Sequence, residues 1–174
     1  MSLTISGKFN ITLCGMMGSG KSTLGKILAR KIGYNFIDID KLIEEKTKKS
    51  INKIFEEDGE NYFREVEEKI TLDILKKHNT VVSLGGGAVI NKNISNIIKM
   101  NSYNIYLEVN INVLGKRLKK SKNRPLIIKK DINKTLEDLL IERESFYKKA
   151  DLIIKNESNI NNTIKTIIKS IINE

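Results

Sequence analysis

The stretch Gly15 to Thr23, read as Gly-Met-Met-Gly-Ser-Gly-Lys-Ser-Thr, limits what this chain can fold into more than any other. It follows the apolar run Phe9 to Cys14 and leads into Leu24 to Ile32, whose apolar residues recur at helical spacing. Strand, glycine loop and helix in that order mark a phosphate cradle, a P-loop, where a lone glycine turn would carry no such meaning. Gly15, Gly18 and Gly20 let consecutive N–H groups point into one concavity, and the helix that follows adds the positive end of its dipole. In such a loop Lys21 reaches the terminal phosphates of a nucleotide, and the hydroxyl of Ser22 can take one place on a Mg²⁺ ion. Ser19 and Thr23 complete the nucleotide-binding set.

Composition then excludes several classes. A chain of 174 residues suits one domain over 1–174, large enough for a core without disulfides or structural metal. Its one cysteine, Cys14, falls in the predicted first strand, where a buried, inert thiol and a reducing cytoplasm are expected. No apolar run approaches membrane-spanning length and no signal peptide is legible, so a soluble protein with no membrane partner is expected. The net charge of +10 invites a nucleic-acid reading, but 26 of the 31 basic residues are lysines dispersed along the chain. Dispersed lysine means solvated surface, so no nucleic-acid partner is expected, although a basic field still draws in anions such as ATP. Arginine is scarce, and its guanidinium offers a rigid fork that lysine cannot reproduce. Arg64, Arg117, Arg124 and Arg143 sit beside other signals, whereas Arg30 on the first helix looks generic.

Beyond the P-loop helix, Gly33 supplies a stop and Tyr34 to Ile37 reads as a second strand ending at Asp38-Ile39-Asp40. Alternation puts Asp38 and Asp40 on one side of an extended segment, at the strand end where open α/β sheets bind ligands. One carboxylate would stand near the metal and one face a substrate hydroxyl; the competing reading makes Asp40 the cap of a helix starting at Lys41. Lys41 to Lys77 is mostly helical, with breaks near Lys48 to Ser50 and at Asp58-Gly59, and it carries Arg64 among Glu60, Glu67 and Glu68. A surface ion pair explains Arg64 as well as a ligand would. His78 falls where that helix runs out and reads as a partner of its C-terminal dipole.

Thr80 to Leu84 forms a third strand, and Gly85-Gly86-Gly87 follows at once. Three bare residues there allow a ligand to approach the backbone closely. Six of the eleven glycines therefore lie in two loops at strand ends on one rim. Ser83, just ahead, could hold a water of the metal shell. Asn91 to Met100 is helical, Tyr103 to Val109 a fourth strand, and Asn112 to Lys119 a helix bearing Arg117. A polar, basic segment containing Arg124 and the only proline, Pro125, has the character of a lid at about 119–131, with an ordinary surface loop as the alternative. Ile132 to Lys149 is a helix with Arg143, Asp151 to Ile154 a fifth strand, and Ile160 to Ile172 an amphipathic closing helix. Strands alternating with helices predict a three-layer α/β/α fold with a five-stranded, mainly parallel sheet.

Taken together these motifs resemble the shikimate kinase family, a P-loop kinase type with a mobile lid. The likeness rests on Gly15 to Gly25, Phe36 to Asp40, Ser50 through Glu67, Ser83 through Val89, Arg117 ahead of Arg124-Pro125-Leu126, and Arg143 with Tyr147 and Ala150-Asp151. It covers about Asn10 to Ile154. The resemblance implies transfer of the ATP γ-phosphoryl group to the 3-hydroxyl of shikimate, in aromatic amino-acid biosynthesis, by a monomer. By the same likeness Lys21, Asp40 and Arg124 are catalytic, Ser22 and Asp38 serve Mg²⁺, and Arg117 packs on adenine. Asp40, Arg64, Arg143, Gly85, Gly86 and Gly87 would bind shikimate, with the shikimate-binding region at about 38–77. Departures are a lysine-dense lid and an asparagine-rich segment, Lys155 to Asn159, where adenine would be framed. The rival readings are a gluconate or nucleoside-monophosphate kinase, and a nucleotide-binding module without turnover.

Overall fold

The computed structural model describes residues 7–119, 132–156 and 159–172. Five strands are observed: β1 (Asn10–Cys14), β2 (Asn35–Asp38), β3 (Thr80–Ser83), β4 (Ser102–Glu108) and β5 (Leu152–Lys155). They lie in the order β2-β3-β1-β4-β5, and every neighbouring pair is parallel. The helices are α1 (Lys21–Ile32), α2 (Ile39–Thr47), α3 (Ile51–Glu57), α4 (Gly59–Leu75), α5 (Lys92–Asn101), α6 (Ile111–Lys119), α7 (Ile132–Tyr147) and α8 (Ile160–Ile172).

The central strand shows why the layers form. All five residues of β1 are buried, as expected for a parallel strand covered on both faces. Ile11 and Leu13 join Leu24 and Leu28 of α1 and Ile164, Ile167 and Ile171 of α8 in one core. Cys14 belongs to the other core, with residues of α2 to α7 such as Ile39, Phe63, Ile98, Leu114 and Tyr147. Burial pushes the Cys14 thiol up to about 12, so it stays an uncharged core group. Thr12, in the same buried strand, is satisfied by Asn104 Oδ1 of β4 at 2.9 Å.

Turns are set by particular residues. Gly33 ends α1 in the left-handed region, at φ 74°, and returns its N–H to the Ala29 carbonyl. Ser50 caps α3 by accepting from Lys53 N, and Asn91 caps α5 by accepting from Asn93 N and Ile94 N. The breaks expected near Lys48 to Ser50 and at Asp58-Gly59 are both present.

Two local expectations are corrected. The second strand ends at Asp38 itself, and Asp40 lies in the first turn of α2 rather than on an extended segment. Asp38, not Asp40, caps that helix, accepting from Lys41 N at 3.3 Å. His78 is not positioned by a dipole alone: its ring stacks on Phe9, with centroids 4.2 Å apart.

Because β1 is flanked by β3 on one side and β4 on the other, the chain's crossovers diverge there, which opens a crevice at the carboxyl ends of these strands. The register aligns Leu13 with Ser83, and Ser83 with Asp38. The P-loop, the triple glycine and the β2–α2 junction therefore begin at one level.

Candidate active site at the carboxyl edge of the sheet

The P-loop leaves β1 at Gly15, whose φ of 136° excludes most side chains. A β-carbon there would also sit 2.8 Å from the Leu107 carbonyl oxygen of β4. The side chain of Lys21, largely buried at the start of α1, folds back on the loop and donates from Nζ to the carbonyls of Gly15 at 2.8 Å and Met16 at 3.0 Å. Ser22 Oγ donates to the Asp38 carboxylate across the gap between α1 and β2. Ser19 is fully buried, and its Oγ has no hydrogen-bond partner among the described residues. Thr23 is exposed on α1.

The triple glycine gathers a second set of side chains. A β-carbon on Gly85 would overlap Glu67 Oε1 of α4 and lie 3.0 Å from Asp40 Oδ1 of α2. One on Gly86 would lie 3.2 Å from Arg143 Nη1 of α7 and 3.9 Å from the Gly15 carbonyl oxygen. One on Gly87 would lie 2.9 Å from Arg64 Nη1. Three helices and the P-loop thus meet at three residues of bare backbone. The same Gly15 oxygen accepts from Lys21, so the two loops share one chamber.

Electrostatics in this chamber are concentrated. Arg64 pairs with Glu67 at 2.7 Å and with Glu60 at 3.0 Å, as the ion-pair reading of this residue expects, while its guanidinium also lies against Gly87. Glu68 is engaged elsewhere, accepting from Asn91 and Asn93. Glu67 is 2% exposed, and burial raises its pKa above the usual glutamate value. Arg64 opposes that rise, the Asp40 carboxylate adds to it, and Arg143 counters it weakly. Arg143 is itself buried, and its Nε has no partner among the described residues. Beside it the Tyr147 hydroxyl donates to the Gly86 carbonyl, and burial raises the phenol's pKa well above its ordinary value. That ring stacks on Tyr106, with centroids 5.0 Å apart.

At the other end of the P-loop, Arg117 of α6 donates from Nη1 to the Gly18 carbonyl at 3.2 Å and from Nη2 to the Asn156 carbonyl at 3.0 Å. Asn156, just beyond β5, donates from Nδ2 to the Ser19 carbonyl at 2.7 Å.

Comparison with known proteins gives the family. The family model for shikimate kinase matches residues 17–174. A shikimate kinase from Sulfurihydrogenibium sp. is 46% identical over 164 residues, covering 92% of this chain and 98% of the relative. The chain belongs to the shikimate kinase family. A solved shikimate kinase from Acinetobacter baumannii, in complex with shikimate, superposes with a TM-score of 0.91 at 31% identity, covering 99% of this chain and 98% of that one. A gluconokinase from Sinorhizobium meliloti reaches a TM-score of only 0.61 at 15% identity, with 95% and 94% covered, which is a likeness of fold alone.

Set beside the sequence, this shikimate kinase family chain brings Asp40, Arg64, Arg143, Gly85, Gly86 and Gly87 together, and joins Ser22 to Asp38. Arg124 and nearly all of the expected lid, 120–131, lie outside the described residues. Ser83 is buried in β3. Two residues of the site were not singled out from sequence. Glu67 was legible only as a possible helix partner of Arg64, since nothing in its spacing says that it is buried against Gly85. Asn156 lies in a segment rich in asparagine, where one amide cannot be told from its neighbours.

Proposed function

We propose that the chamber formed by the P-loop and the triple glycine transfers the γ-phosphoryl group of ATP to the 3-hydroxyl of shikimate, releasing shikimate 3-phosphate and ADP. The observation that carries this reading is the convergence of Arg64, Arg143 and Asp40 on Gly85 to Gly87, one carbonyl away from Lys21. A small acid with a ring of hydroxyls asks for forked cations at one end and a carboxylate at the other, and these residues supply both. Arg64 and Arg143 hold the carboxylate of the acid. Asp40 accepts from its hydroxyls and orients the one that attacks, and the glycines let the ring lie against backbone.

Phosphoryl transfer passes through a loose transition state, so the protein contributes positioning and charge. Lys21 reaches from the loop carbonyls to the terminal phosphates, and the N–H groups of the loop hold the oxygens between. Arg124 keeps the role of a lid arginine on those phosphates, as the family likeness implies, and Arg117 that of a plane for the base. The residues present fit Mg²⁺: Ser22 Oγ and the Asp38 carboxylate are hard oxygen donors already hydrogen-bonded to each other. Among the described residues no three His, Cys, Asp or Glu side chains converge on one point, which suits an ion that takes most of its ligands from nucleotide and water. When bound, the ion neutralises charge on the phosphate oxygens. The enzyme acts as a cytoplasmic monomer, without nucleic-acid or membrane partners. No described helix is long and apolar enough to cross a membrane.

A coupled ADP-release assay with shikimate, gluconate and nucleoside monophosphates as acceptors tests this. Release with shikimate, and at most background with the others, is the expected result; preference for another acceptor, or turnover with none, overturns it.

A further inference from the structure

Asn156 lies in a tail that no motif marked, yet it is only 6% exposed and every polar group of its side chain is engaged. Its backbone N–H donates to the Glu108 carbonyl at 2.9 Å, which extends the β4–β5 pairing by one residue. Its Oδ1 accepts from Thr163 Oγ1 of α8 at 3.3 Å, which fixes which way the amide faces. Nδ2 is then aimed at the Ser19 carbonyl, and a β-carbon on Gly20 would lie 2.9 Å from that nitrogen. The contact reaches from one end of the sequence to the other, and it lands on the phosphate loop.

A planar trans peptide holds its C=O and N–H in opposite directions. A donor that grips the Ser19 carbonyl therefore turns the Gly20 N–H to the opposite side, away from the Asn156 amide. Anion nests work through such N–H directions, and a loop of glycines has little intrinsic stiffness to hold them. Arg117 grips the neighbouring Gly18 carbonyl and, with its second nitrogen, the carbonyl of Asn156 itself.

We propose that Asn156 is a positioning residue of the phosphoryl-transfer site, which aims the Gly20 N–H at the nucleotide's phosphates by holding the Ser19 carbonyl. Together with Arg117 it forms a clasp between the β5 tail and the loop. This inference rests on the reading of the chamber as an ATP site.

The test compares the parent with N156A and N156D in steady-state assays with ATP and shikimate, alongside direct binding of inorganic tripolyphosphate and of shikimate. The first variant removes the donor. The second keeps the volume and the bond from Thr163 but puts an acceptor where the donor stood. Loss of one such donor predicts that kcat/KM for ATP falls about tenfold in N156A and at least as far in N156D. Tripolyphosphate binding should weaken in step, because it needs the loop and no base, while shikimate binding stays within about twofold of the parent. An ATP kcat/KM within threefold of the parent in N156A overturns the assignment, as does shikimate binding that falls in proportion, since that is a general structural loss. N156D close to the parent with N156A impaired means that Asn156 only fills space, and overturns it too. All three leave the functional reading standing if the parent turns over. An inactive parent overturns that reading and, with it, the role given to Asn156.

Discussion

Arg64 shows how one side chain can leave two descriptions open. Its spacing from Glu60 and Glu67 is the spacing of ordinary helix ion pairs, and it makes both. Those pairs also hold the guanidinium against Gly87, so in the proposed site the same partners would aim it. Arg143 arrives from α7 with its Nη1 beside Gly86 and its Nε unpaired among the described residues. The role proposed for both depends on a planar fork. Replacing either arginine with lysine keeps the charge and loses one of two parallel contacts, which costs about 1.5–3 kcal/mol, or roughly tenfold to a hundredfold in the KM for shikimate. Steady-state kinetics with shikimate varied at saturating ATP measures it. An unchanged KM returns that arginine to a purely structural role.

Among the elements, the β3 glycine loop and helix α4 are the pair whose fit matters most. The buried Glu67 carboxylate occupies the space that a side chain on Gly85 would need, and its Oε2 is tied to Arg64, so it has little freedom to withdraw. Gly85→Ala should therefore displace Glu67 and Arg64 together. The expected outcome is a shikimate KM raised at least about tenfold, a stability loss of about 1–3 kcal/mol in a thermal melt, and an ATP KM near the parent's. An ATP KM that rises as much would mean that the disturbance spreads into the P-loop. The presence of both elements was legible in the sequence, because three glycines after a strand and a helix dense in acids are strong local signals. Their fit was not. The β2–α2 junction shows the same limit: two aspartates two residues apart look alike whether the chain is extended or turning, and only the cap made by Asp38 decides it. Strand ends elsewhere moved by about one residue for the same reason, since terminal pairing is decided by neighbours that the local sequence does not name.

For the molecule as a whole, alternation of strands and helices gave the layered class, and the P-loop gave the first strand a central task. The order β2-β3-β1-β4-β5 was not legible, and it is what puts Gly15 beside Gly86. Charge is also a property of the whole. With a net charge of +10 dispersed as lysine, association with multiply charged ATP should be steered by the average field. Between about 0.02 and 0.5 M salt, kcat/KM for ATP should fall several-fold, and more steeply than kcat/KM for the singly charged acid. Equal slopes would mean that the lysines serve solvation only.

The hydrogen bond from Leu84 N to Leu13 O, 3.1 Å long, carries the β1–β3 ladder to the threshold of both loops. The nucleotide grip and the acceptor grip thus hang from adjacent rungs, so any change that slides β1 against β3 should disturb both at once, however well the surrounding helices are kept.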